Sequence, residues 1–215
     1  MYKLVIFDLD GTILNTLSDL SSSVNYVLKK QNYPLHSQAE IRNYLGNGVL
    51  KLIERSLPAA STSEQIDKTY QMFLEYYSKN SMNETIPYDG IIDLLVSLKK
   101  KGITAAVVSN KIDSEVQKMC NRYFKGMFKY ITGERKGMPK KPDPSLVYDI
   151  IQKEKVSIQE VLYVGDSEVD LYTACAANID CALVTWGFRK KADLVKLNPK
   201  YLINTANELL KVISE

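Results

Sequence analysis

Four short runs, Leu4 to Phe7, Ile103 to Val108, Val161 to Val164 and Ala182 to Thr185, are apolar on both sides of the pleat apart from Thr104 and Thr185. Runs of this kind, separated by helical patterns, predict strands of a parallel sheet covered on both faces. The helices between them are legible from their spacing. Residues 90 to 102, "GIIDLLVSLKKKG", carry apolar residues at helical intervals and close on lysines and Gly102, a helix stop. Residues 113 to 124 and 143 to 154 each open with an aspartate suited to capping.

Between the first two strands lie about ninety residues, far more than one crossover needs. The surplus predicts an insertion. Leu17, Leu20, Val24, Val27 and Leu28 fall on one helical face, and "VLKLIERSL" and "IDKTYQMFLEYY" are amphipathic as well. The expected organisation is therefore an α/β, Rossmann-like core over residues 1–14 and 85–215, with a small helical subdomain over residues 15–84 inserted after the first strand.

Composition narrows the class. At 215 residues, 45% hydrophobic and 25% charged, the chain is a folded globular protein with a sizeable core. A net charge of +3 is spread along the chain, so no nucleic-acid partner is expected. No run approaches a membrane span and the N-terminus is too short in apolar residues for a signal peptide, so no membrane partner is expected either. Cys120, Cys175 and Cys181 match no zinc spacing and read as reduced thiols of a cytoplasmic protein.

The chemistry gathers at strand ends. Residues two apart in a strand point the same way, so Asp8 and Asp10 of "FDLDGT" can face one site. Parallel sheets bind ligands beyond the carboxyl ends of their strands. Ser109 and Asn110 follow the second predicted strand, Lys141 precedes the rigid Pro142, and "VLYVGDSEVD" brings Asp166 and Asp170 to the same rim.

These groups fit phosphoryl transfer. An aspartate, Asp8, can attack phosphorus, and Asp10 can protonate the leaving oxygen and then activate water. Mg²⁺ held by carboxylates such as Asp8 and Asp166 screens the charge between nucleophile and phosphate. Ser109 and Lys141 can contact the transferring group, Gly11 lets the backbone turn over it, and Thr12 adds a donor. Asp-Gly alone is a turn signal, but the later "GDSEVD" turns the pair into a site. His36 stands alone, which excludes a Ser/His/Asp mechanism. Trp186, Tyr76 and Tyr77 read as packing residues. Asn47, between two glycines, has two readings: a left-handed turn, or a phosphate-binding or substrate-reading loop of the helical insertion.

With "DLDGT", "VVSN", "KKPDP" and "GDSEVD" in order over nearly its whole length, the chain resembles the haloacid dehalogenase superfamily of phosphatases. The resemblance implies Asp8 as nucleophile, Asp10 as acid/base, the Asp10 carbonyl and Asp166 as magnesium ligands, and Ser109 and Lys141 as phosphate contacts. Asp170 matches the second acidic position, tied to the metal through water or to the lysine, and the insertion resembles the helical cap.

"YLGNGVLKLIERSL" and "VTWGF" look most like the phosphoglycolate phosphatase branch, although Asn15 and Thr16 stand where that branch often has aspartate and serine. The expected partner is a small phosphate ester, led by 2-phosphoglycolate, and the expected assembly a monomer or homodimer. Pyrophosphate or nucleotide hydrolysis, a sugar phosphomutase and a catalytically silent scaffold are the alternatives.

Overall fold

The computed structural model describes residues 1–215. In chain order, β1 (Leu4–Phe7) and the short β2 (Leu14–Asn15) precede four helices, α1 (Leu17–Lys30), α2 (Gln38–Tyr44), α3 (Val49–Ser56) and α4 (Ser63–Asn80), and the short β3 (Ile86–Pro87). Then follow α5 (Ile91–Lys100), β4 (Thr104–Ile112), α6 (Asp113–Tyr123), β5 (Tyr130–Glu134), α7 (Ser145–Glu154) and β6 (Val161–Gly165). The chain ends with α8 (Glu168–Ala176), β7 (Asp180–Val184), α9 (Lys191–Lys196), β8 (Tyr201–Ile203) and α10 (Ala206–Ser214). Two compact units result, one of Met1–Leu14 with Pro87–Glu215 and one of Asn15–Ile86.

The first unit is an α/β fold around a six-stranded parallel sheet of order β5-β4-β1-β6-β7-β8. From β1 the chain runs outward to β4 and β5, then returns to β6 on the other side, so β1 lies at the point where strand order reverses. Phe7 pairs with Val107 of β4 and Val164 of β6. Whatever follows Phe7 therefore emerges between the ends of two neighbouring strands, the usual place for a ligand in such sheets.

Strand alternation builds the core. Leu4, Ile6, Ala106, Val108, Val161, Tyr163, Cys181 and Leu183 pack with Leu146, Val147 and Ile150 of α7, Ala174 of α8 and Leu194 of α9. Val5 and Phe7 alternate with them and are equally buried. Each fully buried Val, Leu, Ile or Phe side chain among them contributes about 1.5–3 kcal/mol relative to exposure.

Several expectations are corrected. The second long strand does not stop at Val108: β4 continues through Ser109, Asn110 and Lys111 to Ile112, with a register shift against β5. These polar residues stay in the strand because all three are buried and hydrogen-bonded. Asp113 does not cap α6; its carboxylate accepts from Gly133 N–H at 2.8 Å and ties the helix start to β5. Asp143 accepts from the Ser145 N–H at 2.8 Å at the start of α7. Strands β5 and β8, where apolar and polar residues mix, have no counterpart in the sequence pattern.

In the helical unit, Leu20, Val24, Val27 and Leu28 of α1 are buried, with Ile41, Leu52, Ile53, Phe73 and Tyr77 from the other three helices. Buried Asp19, in the first turn of α1, accepts from Glu84 N–H at 3.1 Å and from the Thr85 N–H and hydroxyl at 2.9 and 2.8 Å. Those bonds hold residues 84 and 85 within this unit, which spans Asn15–Ile86.

Candidate active site

The loop leaving β1 is shaped by its own backbone. Leu9 O accepts from the N–H groups of Thr12, Ile13 and Leu14, and Gly11 N–H donates to Leu14 O at 2.9 Å. The amides of Gly11 and Thr12 are thus engaged inside the loop. Gly11 has φ +82°, and a Cβ there would stand 2.4 Å from Asp166 Oδ2. Only glycine permits both the turn and the approach. The Thr12 hydroxyl donates to Asp166 Oδ1 at 3.4 Å, and Trp186 Nε1–H donates to Thr12 O at 3.0 Å.

Asp8 sits at the strand end with its N–H on Val164 O. Its Oδ1 accepts from Leu9 N–H at 2.7 Å and lies 3.0 Å from Lys141 Nζ. The same ammonium is 2.7 Å from Oδ1 of Asp170, which is fully buried. The other oxygen of Asp170 accepts from the Ser167 hydroxyl at 2.7 Å and from the N–H groups of Ser167 and Asp166 at 3.1 and 3.2 Å. Asp170 therefore caps α8 and anchors Lys141 at once. Gly165 makes this possible, since a Cβ there would meet Asp170 Cβ at 2.2 Å. Asp166 Oδ2 accepts from Phe188 N–H at 2.6 Å.

From β4, buried Ser109 accepts from Lys111 N–H at 3.3 Å, and Asn110 Nδ2 donates to Lys141 O at 3.0 Å. Tyr163, beneath the site, presents its ring 5.7 Å from Lys141 Nζ and donates its hydroxyl to Val108 O. Asp10 is held by a lysine absent from the sequence reading: Lys111 Nζ is 3.0 and 3.2 Å from its two oxygens. The signal was present, since Lys111 stands two residues after Ser109. It is masked because a polar stretch after Val108 reads as lying past the strand. Asn47 lies in the helical unit, where its Oδ1 accepts from Arg55 Nη2 at 2.8 Å.

The model of the haloacid dehalogenase-like hydrolases matches residues 5–184. The chain belongs to this family. It is 31% identical over 215 residues to the phosphoglycolate phosphatase of Colwellia psychrerythraea, with 97% of this chain and 95% of that one covered. Against the phosphoglycolate phosphatase of Haemophilus influenzae it is 31% identical over 220 residues, covering 99% and 98%. A solved structure from Lactobacillus delbrueckii subsp. bulgaricus is similar at TM-score 0.94 and 32% identity, over 99% of this chain and 98% of that one. The crystal structure of a predicted phosphoglycolate phosphatase from Haemophilus somnus gives 0.92 and 29%, over 98% and 97%. Within its family this hydrolase is an enzyme of the phosphoric monoester hydrolase class.

The electrostatics of the hydrolase's rim suit a cation. Oxygens of Asp8, Asp166 and Asp170 lie within 4.8 Å of one another, all on buried residues or nearly so. Burial pushes the Asp8 carboxyl up to about 6; Lys141 pulls it down, while the charges of Asp170 and Asp10 add to the rise. Asp166 is held well above the usual carboxylate range by burial first and then by Asp170 and Asp8. Burial disfavours charge on Lys141, but Asp170 and Asp8 outweigh it and keep the ammonium firmly protonated. Hard carboxylate oxygens in excess over one cation suit Mg²⁺. The glycines at 11 and 187 leave the space that Asp166 occupies, because a Cβ on either would overlap it. The hydrolase has no helix long and apolar enough to cross a membrane.

Proposed function

We propose that this hydrolase is a Mg²⁺-dependent phosphatase of a small phosphomonoester, with 2-phosphoglycolate as lead substrate, working through an aspartyl-phosphate on Asp8. One observation carries the reading: Lys141 bridges Asp8 and Asp170 at 3.0 and 2.7 Å while an Asp166 oxygen lies within 4.8 Å of both acids. End-to-end similarity to enzymes named phosphoglycolate phosphatase supports the substrate.

Asp8 is oriented by Leu9 N–H and Lys141 through Oδ1, which leaves Oδ2 to attack phosphorus. As the new O–P bond forms, the ester P–O bond breaks and Asp10 gives its proton to the departing alkoxide. Water then attacks the phosphorus of phospho-Asp8, its proton passes to Asp10, and inorganic phosphate leaves with Asp8 restored. Ser109 and Lys141 neutralise the charge of the transferring group. Asp8, Asp166 and the Asp10 carbonyl would hold Mg²⁺, with Asp170 behind them on Lys141. A bound Mg²⁺ screens carboxylate from phosphate. The helical unit is read as the family's cap, Asn47 as one of its substrate-facing residues, and the location as cytoplasmic.

Phosphate release with Mg²⁺ and with chelator tests this, against 2-phosphoglycolate, pyrophosphate, nucleoside monophosphates, hexose phosphates and an aryl phosphate. Metal-dependent kcat/KM for 2-phosphoglycolate exceeding the rest by about two orders of magnitude, roughly 2.7 kcal/mol in transition-state binding, is the expected result. Equal turnover with chelator would overturn the mechanism. Preference for another ester would overturn the substrate alone.

A further inference from the structure

Lys111 is the second buried lysine of the site, with 3% of its side chain exposed, and it faces Asp10, whose side chain is 21% exposed. An ammonium buried this deeply is stable only with a partner, and its Nζ reaches both carboxylate oxygens at 3.0 and 3.2 Å. Two-point contact fixes the carboxylate's direction as well as its place. The stem of Lys111 is fixed in turn. It lies inside β4, its N–H donates to Ser109 Oγ, and β5 crowds its carbonyl so closely that a Cβ on Gly133 would stand 2.5 Å from it.

Asp8 and Asp10 thus have separate lysines: Lys141 for the first and Lys111 for the second. A group that must hand a proton to one oxygen and later take one from water needs a defined position, since misplacement by about 1 Å costs on the order of 10²-fold. We propose that Lys111 is a positioning residue that holds Asp10 in line for proton transfer to the leaving group. The proposal rests on the reading of Asp10 as acid/base.

Leaving-group dependence separates this role from a structural one. An aryl phosphate departs without a proton, whereas an alkyl phosphate such as 2-phosphoglycolate requires one. Because Asp10 also activates water after the leaving group has gone, the comparison is read on the first step alone, by quench-flow release of the leaving group in a single turnover. Lys111→Met should slow glycolate release from 2-phosphoglycolate by roughly 10²-fold, yet leave the p-nitrophenolate burst rate within about threefold. On an Asp10→Asn background the same change should cost nothing further, because a residue acting through Asp10 has nothing left to position. A retained p-nitrophenolate burst also reports that the variant is folded. Should the Met variant not fold, Lys111→Gln carries the same comparison. Equal losses of release rate on both esters, or unchanged glycolate release, would overturn the proposal. If Asp10→Asn itself failed to discriminate the esters in leaving-group release, the acid reading would fall, independently of Lys111.

Discussion

Both ends of the parallel sheet carry an aspartate–lysine cluster, and they differ in charge balance. At the amino end, Asp180 meets Lys200 at 2.6 Å and accepts from the Tyr2 hydroxyl at 2.6 Å. Burial there opposes ionisation, but the hydrogen bonds of Lys200 and Tyr2 win and draw the Asp180 carboxyl below its usual value. At the carboxyl end, Asp8 and Asp170 share one ammonium, Lys141, with Asp166 beside them, and Asp8 and Asp166 are pushed up. A matched pair is complete as it stands. An acidic excess in a buried site suits a cation, and that difference is why we propose the second cluster, not the first, as the reactive one.

The largest effect should come from removing the proposed nucleophile. Asp8→Asn is expected to lower kcat by at least about 10⁴-fold, while Asp180→Asn stays within about twofold of the parent in the same phosphate-release assay. Next come the two lysines. Lys141→Met strands Asp8 and Asp170 as buried charges and should lower unfolding free energy by about 3–5 kcal/mol, with activity lost. Lys200 is half exposed, so Lys200→Met should cost no more than about 1 kcal/mol. Urea titrations of both variants measure the contrast.

Metal should then relieve the acidic excess. Mg²⁺ at about 100 times its Kd should stabilise the parent by about 2.7 kcal/mol, and Asp166→Asn should abolish most of that gain while leaving the metal-free protein more stable. Thermal melts with magnesium and with chelator read both. The smallest effect concerns pH. Because Asp8 titrates near 6 in the folded protein and near 3.8 in a reference peptide, the folded state binds more protons between those values. Its contribution to stability is greatest below about 3.8 and is lost as pH rises through about 6. In chelator, the parent should therefore lose stability relative to Asp8→Asn between pH 4.5 and about 7, as paired urea melts would record.

Much of the core was legible because β1, β6 and β7 are buried on both faces and so consist almost wholly of apolar residues, Asp180 at the start of β7 excepted. Strands β5 and β8 lie at the sheet's edges, where one side is less covered and the pattern mixes. The site's acids stood out in "DLDG" and "GDSEVD" because two carboxylates so close have few structural uses. Lys111 and the end of β4 escaped notice for a single reason: polarity ended the predicted strand, yet the polar residues are paired in the interior by Lys141 O, Ser109 Oγ and Asp10. No periodicity in one strand reports the partner that another strand supplies.

The most direct test of the central claim is acid-quenched single turnover with Mg²⁺ and 2-phosphoglycolate, followed by peptide mapping. The account predicts a phosphoryl group on the peptide containing Asp8, absent with chelator and absent in Asp8→Asn. Full release of inorganic phosphate with no phosphoryl-enzyme at any quench time, or phosphate carried by another residue, would contradict it.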